Sequence, residues 1–338
     1  MITTVLGDVK AETVGHIIPH EHIYCNMSGF LNPSDDPDFF APLSLSNYGK
    51  VRLNPYAVLD NCILDSEELM IFEIKQFKAA GGDMYVDLGR GKSRRPESFQ
   101  RISKETGVKI VAGCGIFLSP ASAEEDAMTE EDVYNMIMRD LTVGIDGTDV
   151  KAGIIGEMGS GDVMTEFQKK GIRAAARAQK ETGAGLQIHA SLWTREGLNA
   201  LDLAIANGAN PEKVCIDHSD VRLDEEYIMG ILKRGALVEF DDFGKEFYCD
   251  QRRSNYLLGS FASDVERVKF IKKLCDKGYA KQILASNDIC MKSMLHTYGG
   301  WGYDHIITNI VPMMEDFGIS SGDIELITKI NPRNLLDK

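Results

Sequence analysis

Apolar residues recur along this chain in two alternating rhythms. Between residues 66 and 80 they fall at 69, 71, 74 and 77, the spacing of a helix with one buried face, and the stretch stops at Gly81-Gly82. A short run follows, Asp83-Met84-Tyr85-Val86-Asp87-Leu88-Gly89, with the length and composition of a strand. The alternation then repeats. The spacing predicts helices over 95–106, 129–143, 165–182, 195–207, 224–234 and 262–277, most of them stopped by a glycine. It predicts strands over 108–114, 152–157, 186–190, 213–218, 236–241 and 282–288. A last helix is expected near 322–330, with Ser320 as its N-cap.

With the opening run His16-Ile17-Ile18-Pro19-His20-Glu21-His22-Ile23 counted, the short strands number eight. Strands joined through helices run parallel. Eight such units over 338 residues point to an α/β fold of the (β/α)8 TIM-barrel type. A doubly wound open sheet is the other arrangement the alternation allows. No linker and no shift of composition interrupts the pattern, so a single (β/α)8 barrel domain over 1–338 is expected. It carries long loop insertions near 24–60 and 243–260. The first holds Pro33, Pro37, Pro42 and Pro55 among many Asn, Asp and Ser. Long loops on compact domains are commonly lids or binding loops.

Composition narrows the class. Apolar content of 43% supplies a large core. A net charge of −14 disfavours nucleic acid as a partner, though a local basic pocket can still hold an anion. No apolar run reaches the roughly 18–20 residues of a membrane span. The first residues lack a basic segment followed by an apolar one, so no signal peptide is read. The seven cysteines are odd in number and never spaced C-x-x-C, which suits reduced thiols and a cytoplasmic location.

The chemistry lies where strands end. In a barrel of this kind the site forms at the C-terminal ends of the strands. Strand 1 ends at His20 and His22, which share a face if the strand is regular. Strand 4 ends at Glu157, strand 5 at His189, strand 6 at His218 and strand 8 at Asp288. Four of the seven histidines therefore occupy strand ends. Period-two alternation puts Gly153, Ile155 and Glu157 on one face, and Leu284, Ser286 and Asp288 on another, so apolar or small residues would fill the interior beneath each candidate. Four imidazoles and two carboxylates exceed the usual four ligands of one zinc and suit two divalent metal ions, with Zn2+ expected. Two such ions with Glu157, Asp288 and a bridging hydroxide leave about one net positive charge, suited to a substrate that develops negative charge.

This constellation resembles the phosphotriesterase family of the amidohydrolase superfamily, closest to its phosphotriesterase homology protein branch. The motifs that carry the resemblance span nearly the whole chain. They are His20-Glu21-His22, Gly144-Ile145-Asp146-Gly147-Thr148 running into Lys151 to Glu157, Ile188-His189, Asp217-His218, Asn287-Asp288 and Gly299-Gly300-Trp301-Gly302-Tyr303-Asp304. The resemblance implies His20, His22 and Asp288 on one metal and His189 and His218 on the other. Glu157 would bridge them, and Asp288 would take the proton of the attacking hydroxide. Most of the family bridges with a carboxylated lysine; here the position is Glu157, as in the homology-protein branch, with the same charge and a shorter reach. The family contains lactonases as well as phosphotriesterases, and its barrels often form homodimers.

The expected activity is hydrolysis of an ester-type bond, first a lactone, of a sugar acid or sugar phosphate. A phosphotriester (organophosphate) or another ester is the alternative substrate. An inactive, metal-retaining binding protein is the alternative of another class, and the retention of Asp288 argues against it. Lys245 with Arg252 or Arg253, in the loop after strand 7, is the candidate holder of an anionic substrate group. Gly89-Arg90-Gly91-Lys92-Ser93 lacks the first glycine of a phosphate-binding loop, because residue 86 is Val86, and reads with Arg94 and Arg95 as a solvated basic loop. His16, His296 and His305 read as structural, and Cys290 as buried. No G-x-S-x-G elbow is present.

Overall fold

The computed structural model describes residues 1–32, 34–118, 122–250, 252–254 and 258–338. Pro33 of the first long loop, and residues 251 and 255–257 of the second, lie outside the described residues. Eight parallel strands form one sheet in sequence order: β1 His16–Glu21, β2 Gly82–Asp87, β3 Lys109–Cys114, β4 Ile154–Gly159, β5 Leu186–His189, β6 Val214–Ile216, β7 Leu237–Phe240 and β8 Ile283–Ala285. The sheet closes on itself where His20 N–H donates to Ser286 Oγ at 3.1 Å and Asp288 N–H donates to His20 O at 3.2 Å. The fold is a (β/α)8 barrel.

Helices cross over between the strands: α1 Glu67–Ala79, α2 Pro96–Thr106, α3 Glu130–Thr142, α4 Glu166–Thr182, α5 Glu196–Ala206, α6 Glu225–Lys233 and α7 Asp264–Asp276. Their ends are written in the sequence. Thr129, Thr165 and Ser263 form reciprocal capping boxes with Asp132, Gln168 and Glu266. Gly107 and Gly183 close α2 and α4 in the left-handed conformation, at φ 69° and 71°. After β8 the chain finishes in helical segments that include Val311–Asp316, Ser321–Glu325 and Asn331–Leu336.

Two cores result. The larger lies between strands and helices. The smaller fills the barrel, with Ile17, Val86, Val111, Ile154, Cys215, Leu237 and Leu284 packed over a floor made by Ile2, Val14, Leu335 and Leu336. On β5 the interior position belongs to Gln187, whose amide donates to Glu239 Oε2 at 2.7 Å. The stretch expected as an irregular loop over 24–60 holds short helical turns, among them Pro37–Phe40, Tyr48–Leu53 and Leu59–Cys62. Asp36 and Asn54 cap two such turns ahead of prolines, so the composition that suggested a loop instead nucleates single turns. Among the described residues no helix is long and apolar enough to cross a membrane, and all seven cysteines are free thiols.

Candidate functional site

The strand-end residues converge at the C-terminal rim of the barrel. His20 ends on β1 and His22 follows it; Glu157 and His189 lie within β4 and β5. His218 and Asp288 sit beyond the ends of β6 and β8, and both adopt left-handed backbone, φ 54° and 45°. That conformation costs a non-glycine residue roughly 1–2 kcal/mol and turns its side chain away from where the pleat would aim it. Strand alternation therefore does not aim these two groups. Nor does it hold on β4. Ile154, not Ile155, joins the barrel interior, and the pairing of β4 with β5 shifts register between Ile155 and Met158. The irregularity returns Glu157 to the inside.

The side chains form two touching groups. His22 Nε2 lies 3.0 Å from Asp288 Oδ1, and His20 Nε2 lies 3.8 Å from the same oxygen. Glu157 Oε1 lies 2.8 Å from His189 Nδ1, 3.4 Å from His218 Nε2 and 3.5 Å from His20 Nε2. Within each group, His20 with His22 and Asp288, and Glu157 with His189 and His218, the ligand atoms lie within 4.8 Å of one another. The His20 ring is wholly buried, yet its Nε2 has no hydrogen-bond partner. A buried nitrogen lone pair facing two carboxylate oxygens beyond hydrogen-bonding distance is a donor set for a cation. Imidazole nitrogen with carboxylate oxygen suits zinc and its first-row neighbours. The residues present fit divalent metal, and Glu157 touches both groups.

The electrostatics agree with ionised carboxylates: burial would lower His20, His22 and His218, but the carboxylates beside them, Asp241, Asp288 and Glu157 among them, raise all three. Burial would raise the Glu157 carboxyl, but the His189, His218 and His20 rings hold it well below the usual carboxylate range. Burial would likewise raise Asp288, and Lys245 with His22 and His20 outweighs it, leaving the group lowered. Burial pulls His189 down, towards the neutral form a metal needs. Behind the rings lies a support that strand-end reading missed. The Asp241 carboxylate accepts the His218 backbone N–H at 3.0 Å and lies 3.1 Å from His218 Nδ1 and 3.0 Å from His20 Nδ1. A carboxylate on the far ring nitrogen fixes the tautomer and orientation of a ligating histidine. Glu21, between the two rim histidines, accepts Asn287 N–H at 2.9 Å and Ile289 N–H at 2.8 Å, clamping both neighbours of Asp288.

A cavity of about 280 Å³ opens above the rim. Its apolar wall includes Met27, Phe30, Leu192, Phe247, Phe261 and Met291. Of the three residues expected to hold an anion, Lys245 lines the cavity, but its ammonium pairs with Asp288 and, at 2.9 Å, with Asp242. Arg252 pairs with Asp250 at 2.8 Å and is largely exposed; Arg253 pairs with Asp36 at 3.2 Å. Neither arginine is among the lining residues. The segment read as a solvated basic loop does line it, through Arg90 and Lys92. Arg94 instead pairs with Asp140 at 2.7 Å, and Arg95 packs over Tyr24 at 4.0 Å. His305 is buried and bonded to Asp264 at 2.8 Å; Cys290 is buried in the cavity wall.

A (β/α)8 barrel that gathers histidines and carboxylates at its C-terminal rim, under a small cavity, defines a class of barrel hydrolases. The chain belongs to the phosphotriesterase family, whose model matches residues 1–336. It is 33% identical over 349 aligned residues to the N-acetyltaurine hydrolase of Xenopus tropicalis, covering 99% of this chain and 97% of that protein. Among solved structures it is similar to a resiniferatoxin-binding protein from Rhodobacter sphaeroides, at TM-score 0.93 and 33% identity over 99% of this chain and 94% of that one. It is also similar to the phosphotriesterase homology protein of Escherichia coli, with phosphate in its active site, at TM-score 0.79 and 26% identity over 96% and 99%. The chain is thus a phosphotriesterase-family hydrolase, and its expected branch is among its structural neighbours.

Proposed function

We propose that this chain is a binuclear-metal-dependent hydrolase that cleaves the acyl bond of a small, anionic substrate. One observation carries the reading: Glu157 Oε1 lies within 3.5 Å of nitrogens from His20, His189 and His218, so one carboxylate links two ligand groups. His20, His22 and Asp288 would hold one ion, His189 and His218 the other, with Glu157 between them. Two divalent ions, most naturally Zn2+, supply a nucleophile from water at neutral pH and polarise the substrate oxygen. Asp288 accepts the proton of the attacking water. It then passes that proton to the leaving group as the acyl bond breaks. Asp241 holds the rings of His20 and His218 in place. The apolar wall excludes water from the acyl group, and free thiols suit a cytoplasmic setting.

The first substrate class is an N-acyl amide of the N-acetyltaurine kind, because relatives of that name align over 99% of this chain. The second is a lactone, of a sugar acid or sugar phosphate. Its ring opening releases an alkoxide, a better leaving group than an amide nitrogen, so it asks less of the proton that Asp288 delivers. A phosphotriester or another ester stands behind both. The test is turnover by the zinc-loaded chain of N-acetyltaurine, read as acetate release, beside a panel of sugar-acid lactones, carboxylic esters and phosphotriesters. Inertness towards all of them sinks the reading and leaves a metal-retaining binding protein.

A further inference from the structure

We propose that the barrel interior holds a further cation site, beneath the rim, made by Asp217, Glu239, Asp241 and the inner ring nitrogen of His20. The ligand class it selects is a divalent first-row ion of the zinc kind. The site shares the His20 ring with the candidate metal centre above it, but it requires neither the rim ions nor the hydrolase reading.

His20 faces carboxylates on both sides of its ring. Nε2 looks towards Glu157 and Asp288 at the rim. Nδ1 looks into the barrel, 3.0 Å from Asp241 Oδ2, 3.6 Å from Glu239 Oε2 and 3.7 Å from Asp217 Oδ2. All four side chains are wholly buried. The Asp241 contact orients the ring by charge, but Nδ1 has no hydrogen-bond partner. Both Asp217 oxygens and Glu239 Oε1 are likewise without one. So is Oε1 of Gln187, a buried neighbour whose amide donates to Glu239 Oε2 at 2.7 Å. Buried polar groups are left this way where water or an ion completes them. Water would satisfy the oxygens and leave their charge. Three carboxylates surround one imidazole, and among the described residues His20 is the only ion-pair partner of Asp217 and Glu239. A divalent ion supplies the missing charge and the missing partners together. The ring then gives up its Nδ1 proton to solvent, and Asp241 steadies it through the ion.

The spacing suits such an ion. Tetrahedral zinc places neighbouring ligand atoms roughly 3.3–3.4 Å apart. The three distances from His20 Nδ1 bracket that edge, and the ligand atoms of all four residues lie within 4.8 Å of one another. Imidazole nitrogen with carboxylate oxygen is also the donor set that first-row divalent ions take. The strands build the pocket. Glu239 lies in β7 and Asp241 just beyond it, two residues apart and on one face. Asp217 follows β6, two residues above Cys215 of the barrel core. Gln187 comes from β5, so the polar layer sits directly on the apolar one.

The probe is Zn2+ alone. The full chain is produced in zinc-supplemented medium, so that the ion is present while the barrel closes, and is purified without chelator. Its crystals are read by anomalous scattering at the zinc edge. A peak is expected between His20 Nδ1, Asp217 and Glu239, separate from any at the rim. Asp217→Asn combined with Glu239→Gln keeps the shapes and removes two charges. That variant is expected to lose the inner peak, and one zinc per chain by elemental analysis, while the rim peaks persist. Wild-type crystals with no peak on the Nδ1 side of His20 overturn the proposal, as does a double variant that keeps the peak. Should the double variant not fold, the wild-type map decides alone. Rim peaks without an inner one overturn the proposal and leave the binuclear reading standing. An inner peak in a chain inert towards every substrate leaves the site standing and overturns the hydrolase reading.

Discussion

Arg267 tests how the rim is held from behind. The side chain is fully buried on α7. Its Nε donates to Asp220 Oδ2 at 2.7 Å, one terminal nitrogen to Asp264 Oδ1 at 3.0 Å, and the other to the Lys245 carbonyl at 3.3 Å. It thus ties the end of β6 to the turn that presents Asp242 and Lys245. Replacing it with methionine keeps the stem and removes the charge. The two carboxylates then fare differently. Asp264 keeps Gly244 N–H at 2.9 Å and His305 at 2.8 Å. Asp220 keeps only a 3.3 Å bond from Asp242 N–H, and its Oδ1 is already without a partner. The damage therefore concentrates on Asp220, a wholly buried carboxylate stripped of its cation. Removing one partner of such a pair costs about 3–5 kcal/mol. Urea unfolding of Arg267→Met should show that loss, and Asp220→Asn combined with Arg267→Met should recover at least half of it, a coupling that a double-mutant cycle reads directly. A single variant within about 1 kcal/mol of wild type, or a double variant no better than the single, would refute the reasoning.

Three further outcomes are expected. Glu157→Gln, which cannot bridge as a carboxylate does, should bind fewer metal ions per chain by elemental analysis than the wild type, for which two are expected at the rim; unchanged stoichiometry would count against Glu157 as the bridge. Lys245→Met leaves Asp242 and Asp288 without their shared cation, so kcat should fall at least tenfold with metal content kept, whereas a change confined to the KM of anionic substrates would make the lysine an anion receptor. At the surface, Arg101, with Ser98 and Tyr24, holds the Glu67 carboxyl down at about 2 against an ordinary 4.5. The unfolded chain then binds that proton more readily, so the stabilisation is present above pH 4.5 and lost as pH falls towards 2. The melting-temperature gap between wild type and Glu67→Gln should shrink across that window, and a gap constant with pH would argue against the pairing.

Much of the architecture is legible in the chain because it rests on local physics. Capping boxes at Thr129, Thr165 and Ser263, and glycine stops at Gly107 and Gly183, act within a few residues, so the helix ends fall within about two residues of expectation. The rim residues are legible because histidine is rare and four of the seven fall at strand ends. What lies behind them is less so. Asp241 and Glu239 stand on a predicted strand, yet carboxylates are common, and nothing local separates one under an imidazole from one in water.

The eightfold alternation and the residues available to the rim are thus properties of the sequence alone, since periodicity and residue chemistry are carried position by position. Their aim is decided by tertiary structure. The left-handed turns at His218 and Asp288 and the register shift on β4 override strand alternation, because closing the barrel sets where backbone hydrogen bonds pair. Charge partners are decided there too. Lys245, Arg252 and Arg253 look alike in the chain, as do Arg90 and Arg94. Only the packed protein engages Lys245 with two buried acids, sends Arg94 to Asp140, and turns Arg90 onto Phe117 at the cavity wall. The physical reason is that a cation's role depends on which carboxylates reach it, and those come from residues far away in sequence.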